Sequence, residues 1–238
     1  MNREATLANL LTQTFTEIAA NARLVGIYIA LTIPLSAVGY VFQDGNTTIA
    51  GYDLGFGLGE NFLALGLLAA FLVFAAVAAS ILLQFWLYAG FVRGVTTFDL
   101  RRFWPWIGIY LLSGAGIGFG LLLLIAPGII LAVRWIAVLP LVVEGKIPAM
   151  DTFTESWRMT HGWSWQIFGA GIILFILYWG LAGSVAGFSL LVEESNTIIE
   201  GILTAILDTS WTIISCAFVI GAFRLLRDET NEIAEVFD

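Results

Sequence analysis

An all-α, polytopic membrane bundle of about six transmembrane helices is the fold this sequence predicts, and three observations predict it. Its 238 residues are 59% hydrophobic and 12% charged, with a mean hydropathy of +0.92, whereas roughly a quarter of a soluble domain is charged. Several apolar runs reach the ~18 residues that let a helix cross a bilayer with its backbone groups paired internally. The basic residues, finally, gather on one side of those runs.

Taken in order, residues 1–20 contain Glu4 and Glu17 and lack a basic stretch followed by an apolar core, so they are not read as a cleaved signal peptide. Leu7, Leu11, Phe15 and Ile18 recur at helical spacing. Residues 1–23 are therefore expected to form an amphipathic helix, lying in the interface or packed on the bundle. The strong apolar runs are 24–42, 62–92, 107–125, 129–143, 163–191 and 198–223. Between the first two, the Gly-rich stretch 45–59 lacks the spacing and basic residue of a phosphate loop and reads as an external turn. In the third run Gly114, Gly116, Gly118 and Gly120 make overlapping small-xxx-small pairs, as Gly183 and Gly187 do later, which predicts close helix packing. The fourth run is short, about 23 Å of helix at 1.5 Å per residue. It follows Ala126-Pro127-Gly128, read as the turn of a hairpin that either spans or re-enters. Met150, Phe153 and Trp157 mark a second interfacial helix before the fifth run. Six segments thus occupy 24–226, an acidic tail occupies 227–238, and 1–238 reads as a single integral membrane domain.

Sidedness follows from charge. With the N-terminus inside, Arg3, Arg23, Arg93, Arg101, Arg102, Lys146, Arg158, Arg224 and Arg227 are all cytoplasmic, while the outer loops carry Asp44, Asp53, Glu60, Glu193, Glu194 and Glu200. Both termini are then cytoplasmic. Phe103, Trp104, Trp106, Trp157, Trp163 and Trp165 cluster on the same side, where amphipathic rings favour the headgroup layer.

A short pattern recurs: Thr14-Phe15-Thr16-Glu17, Thr97-Phe98-Asp99 and Thr152-Phe153-Thr154-Glu155 each precede an inward-to-outward segment. It suggests three related units, about 5–93, 96–145 and 148–226, each an interfacial helix followed by a membrane hairpin. Their parallel sense differs from the inverted repeats of many transporters.

An ionisable side chain inside a membrane segment is costly and marks a candidate site. Arg134 and Asp208 are such residues, each lying about 9–11 Å from the outer end of its segment at helical rise. They are expected to pair, as a structural clamp or as a polar waypoint for an ion, a proton or a lipid headgroup. Glu144, Lys146, Trp157, Arg158, His161 and Trp163 form a candidate headgroup or interface site, because cytoplasmic basic clusters attract anionic lipid. His161 beside Gly162 reads as an exposed interfacial histidine. The lone Cys216 cannot form an internal disulfide and reads as a small core hydrophobe.

With one His, one Cys, no HExxH, no GxSxG, no P-loop and no paired cysteines, the sequence predicts no enzyme, no metal site and no cofactor. Its expected partners are membrane lipids and other membrane-protein subunits, not nucleic acid. The leading expectation is a lipid-organising module or an accessory subunit of a larger bacterial membrane complex. The alternative is a small transporter or lipid translocase using Arg134 and Asp208.

Ala126-Pro127-Gly128-Ile129, Arg134, Leu139-Pro140, Glu144-Gly145, Pro148, Ser156-Trp157-Arg158 and Thr160-His161-Gly162-Trp163 together resemble a known family. The stretch is similar to the membrane domain that precedes the catalytic domain of some glycerophosphodiester phosphodiesterases, and to standalone bacterial inner-membrane proteins of the YciC type. The specific likeness spans about 127–163, with looser agreement in segment pattern elsewhere. It implies a six-helix protein of the bacterial inner membrane in which Arg134 and Ser156-Trp157-Arg158 belong to the membrane architecture. No His-Arg motif with metal-binding carboxylates accompanies it, so hydrolase activity is not expected to carry over. The acidic tail departs from the pattern the resemblance implies.

Overall fold

The computed structural model describes residues 5–41, 60–94, 99–191 and 197–237. Among these the chain is all-helical: α1 (Leu7–Ala20), α2 (Ala22–Val41), α3 (Glu60–Arg93), α4 (Leu100–Leu123), α5 (Ile125–Arg134), α6 (Val138–Glu144), α7 (Asp151–Met159), α8 (Ser164–Leu191) and α9 (Thr197–Phe237). Five stretches are long and apolar enough to cross a membrane, and a sixth exists if α1 and α2, bent by 78°, count as one. The expected external turn at 45–59, the outer acids Asp44, Asp53, Glu193 and Glu194, and Thr97-Phe98 lie outside the described residues.

The chain folds as two compact units. One comprises Met1–Ala22, Phe85–Phe175 and Ile214–Asp238; the other comprises Arg23–Gln84 and Ile176–Ile213. The first is centred on Trp106, fully buried with its ring stacked on Tyr110 at 5.3 Å and met edge-on by Phe85 at 5.4 Å. Leu10, Leu87, Phe91, Ile167 and Ile220 complete its core. In the second, Tyr28, Ala205 and Ile213 are buried, and Thr209 donates to Thr32 at 3.4 Å.

The hairpin of α4 and α5 corrects the expected turn. Ala126-Pro127-Gly128 lies in the first turn of α5, and the link is the single extended residue Leu124, whose N–H donates to the Gly120 carbonyl at 3.0 Å. The first helical N–H groups have no intrahelical acceptor, so Pro127 forfeits no bond there. Gly128 serves close approach instead. A Cβ on Gly120 would stand 2.8 Å from the Gly128 Cα, and one on Gly116 would stand 2.5 Å from the Trp135 ring. Gly114, Gly118, Gly183 and Gly187 meet nothing within 4 Å among the described residues, so the expected small-residue packing is realised on the Gly116/Gly120 row. Together α5 and α6 make one candidate span of 20 residues, longer than the 129–143 run because the helix starts before the proline.

The amphipathic helices turn their faces in an instructive way. Leu10, Thr14 and Glu17 are the buried residues of α1, while Phe15 on its apolar stripe is 53% exposed. In α7 the buried residues are Thr152, Ser156 and Met159, whereas Met150 is 65% and Trp157 41% exposed. The buried threonines of both helices hydrogen-bond to the backbone of the preceding turn: Thr14 to the Leu10 carbonyl at 2.8 Å, Thr152 to that of Ala149 at 2.5 Å. Part of each apolar stripe is left exposed, Phe15 on α1 and Met150 and Trp157 at α7, while Leu11, Ile18 and Phe153 are half-buried. The recurring Thr-Phe-Thr-Glu pattern thus marks equivalent short helices, each followed by two long ones, in the first and third expected units. In the middle unit Asp99 caps α4, its side chain accepting from the Arg101 N–H at 3.1 Å.

Candidate functional site

Where the apolar stretches of α3, α4, α6 and α9 run out, each helix carries charge, and in the first unit those charges meet. Glu144 ends α6, followed by Gly145 in the left-handed conformation at φ 68°. Its carboxylate accepts from Lys146 at 2.9 Å and from Arg227 on α9. The last carbonyls of a helix have no intrahelical donor and carry the negative end of its dipole. Arg102 on α4 supplies that donor, bonding the Val143 carbonyl at 2.8 Å and the Glu144 carbonyl, while its Nε lies 3.4 Å from Asp99. Arg224 does the same for α3, donating to the Phe91 carbonyl at 2.7 Å and to Glu17 on α1 at 2.7 Å. Glu17 is 1% exposed; its Oε1 also accepts from Gln13 at 2.8 Å, and its Oε2 is buried with no hydrogen-bond partner.

A second polar locus occupies the break between α5 and α6. Ser156 on α7 donates to the Arg134 carbonyl at 2.7 Å and accepts from the Ala137 N–H at 3.2 Å, replacing helix bonds lost at the break. The Phe153 ring meets Trp135 edge-on at 4.9 Å. The half-buried Arg134 guanidinium lies 5.1 Å over the Trp157 ring and 3.4 Å from the Trp157 carbonyl.

Asp208 belongs to the other unit, where it accepts from the Tyr178 hydroxyl at 3.1 Å, beside Trp211, whose ring is 4.6 Å from that of Tyr178. The two members of the expected pair, Arg134 and Asp208, are thus each described with neighbours in their own unit. Of the expected headgroup cluster, Glu144 and Lys146 pair with each other. Arg158 pairs with Glu155 at 2.8 Å, His161 is exposed in the α7–α8 turn, and the half-buried Trp163 donates its N–H to the Thr160 carbonyl at 3.3 Å. Among the described residues, no three His, Cys, Asp or Glu side chains gather as metal ligands would.

Glu17, Arg102, Tyr178, Arg224 and Arg227 hold these loci together without having stood out in the sequence as site residues, whereas Ser156 stood out only through the family resemblance. The signal for Glu17 was present: with Leu10 and Thr14 it forms one helical face, beside the apolar stripe. For the arginines, position at a segment end suggested sidedness and did not suggest partners.

The family model for the membrane domain of glycerophosphoryl diester phosphodiesterase matches residues 107–236. The match takes in Arg134, Glu144, Ser156, Asp208, Arg224 and Arg227, and begins after Glu17 and Arg102. No curated protein and no solved structure matches the chain.

Proposed function

We propose that this chain, which belongs to the family of glycerophosphoryl diester phosphodiesterase membrane domains, is a non-catalytic module of a bacterial inner membrane that organises phospholipid around itself. Both termini lie in the cytoplasm. The observation that carries this reading is the exposure of large hydrophobes on α1 and α7, with Phe15, Met150 and Trp157 exposed while Thr14, Glu17 and Ser156 are buried. A helix that turns hydrophobes away from its own protein is suited to the boundary between acyl chains and headgroups. Trp104 and Trp165, exposed at the starts of α4 and α8, suit the same layer. The charges at that end support a structural role, because Glu17, Glu144 and the arginines around them are engaged with one another and with helix ends.

Extraction from native membranes in mild detergent tests the proposal. Retention of particular phospholipids through exchange into lipid-free detergent is expected. A stoichiometric protein partner in place of lipid would favour an accessory subunit, and a lone chain with neither would refute both. Incubation with glycerophosphodiesters should release no alcohol; turnover would overturn the non-catalytic assignment.

A further inference from the structure

Arg134 is the last residue of α5, halfway along the 20-residue apolar stretch Ile125–Glu144. Within its unit no described carboxylate lies within ion-pairing distance of it, although Arg93, Arg102, Arg158, Arg224 and Arg227 each have one. Its contacts are the Trp157 ring and one long hydrogen bond to a carbonyl, which leave much of its planar donor fork unused. A cation in such surroundings calls for a counter-charge.

From this arrangement we infer that Arg134 binds the phosphate of a phospholipid headgroup, an inference that rests on the lipid-organising reading and supplies its site. A guanidinium fork matches two phosphate oxygens, and the Trp157 ring against one face holds the fork in place. A lipid, as against free phosphate, follows from what precedes Arg134 on its helix. Ala126, Ile130 and Arg134 share one face at four-residue spacing, and Ala126 and Ile130 are exposed, Ile130 by 52%. A phosphate at Arg134 would therefore run its acyl chain along the apolar face of α5.

Native mass spectrometry of the full detergent-solubilised chain, titrated with dioleoyl phosphatidylglycerol, tests this. The wild type is expected to take up one saturating lipid. Arg134→Gln should weaken that uptake at least tenfold, Arg134→Lys several-fold, and Arg23→Gln, an exposed cation elsewhere, not at all. Dioleoylglycerol, without phosphate, and inorganic phosphate, without chains, should each bind at least tenfold more weakly than the phospholipid. Arg134→Gln binding as tightly as wild type would sink the site while leaving the lipid reading intact. Absence of saturable lipid on the wild type would remove the reading itself, and phosphate binding as well as the lipid would overturn the lipid assignment. If Arg134→Gln does not elute as a folded protein, Arg134→Lys decides, since affinity equal to wild type would contradict the fork geometry.

Discussion

The Ser156 hydroxyl bridges a broken span, giving its proton to the Arg134 carbonyl at 2.7 Å while accepting from the Ala137 N–H at 3.2 Å. One side chain on α7 thereby satisfies a backbone donor and a backbone acceptor that the α5–α6 break would leave unpaired in an apolar setting. Ser156→Ala should cost about 1–3 kcal/mol, the penalty for stranding buried polar groups. Thermal unfolding in detergent measures it, and an unchanged midpoint would mean that the break holds without α7.

Glu17 and Arg224 join α1 to α9 across the length of the chain at 2.7 Å. The pair is lopsided: the Glu17 side chain is 2% exposed and that of Arg224 is 44% exposed. Arg224→Met should therefore be the worse substitution, leaving an enclosed carboxylate unpaired and approaching the ~3 kcal/mol lower bound for breaking buried pairs. Glu17→Gln keeps an acceptor and should cost less. A double-mutant cycle should give a coupling above ~0.5 kcal/mol, and additive losses would deny the contact an energetic role.

Glycines on α4 offer a steric contrast. Gly120→Ala places a methyl 2.8 Å from the Gly128 backbone and should destabilise by about 1–3 kcal/mol, as overpacking does. Gly118→Ala meets open space and should be neutral or stabilising by up to ~1 kcal/mol from helix propensity. Equal midpoints for the two variants would show that α4 and α5 do not approach so closely.

Gly145→Ala tests the end of α6. Its left-handed backbone costs a side chain about 1–2 kcal/mol, and the new Cβ would fall on the Arg102 guanidinium that serves the Val143 and Glu144 carbonyls. Part of the loss should therefore disappear in an Arg102→Ala background. A loss of the same size in both backgrounds would assign it to the backbone alone.

Sidedness is open to chemical labelling. Cys216 is 1% exposed and should stay silent, so Arg101→Cys gives a single reporter at the exposed start of α4. An impermeant maleimide should label it after cells are permeabilised and not before. Labelling of intact cells would reverse the proposed orientation.

Much of the scaffold was legible because its determinants are local. The lengths of the apolar runs, the recurrence of Thr-Phe-Thr-Glu before long helices, and the placement of Arg93, Glu144 and Arg227 where apolar stretches run out are all properties of short stretches. Ala126-Pro127-Gly128 misled for a local reason as well. These residues favour turns, yet proline is equally at home in a first helical turn, and the close partners of Gly116, Gly120 and Gly128 decided between the two. The stripes on α1 and α7 were visible as periodicity. Their partial exposure was not, because a membrane offers an apolar medium outside the protein as well as inside it.

By itself, then, the sequence determined that this is a membrane protein built of apolar helices, since hydropathy acts over a single helix. Tertiary structure decided which polar groups meet: Glu17 with Arg224, Glu144 with Arg227, Ser156 with the backbone of Arg134. Such pairings join residues far apart in the chain, and only packing in three dimensions selects, among several chemically suitable partners, the one within hydrogen-bonding reach.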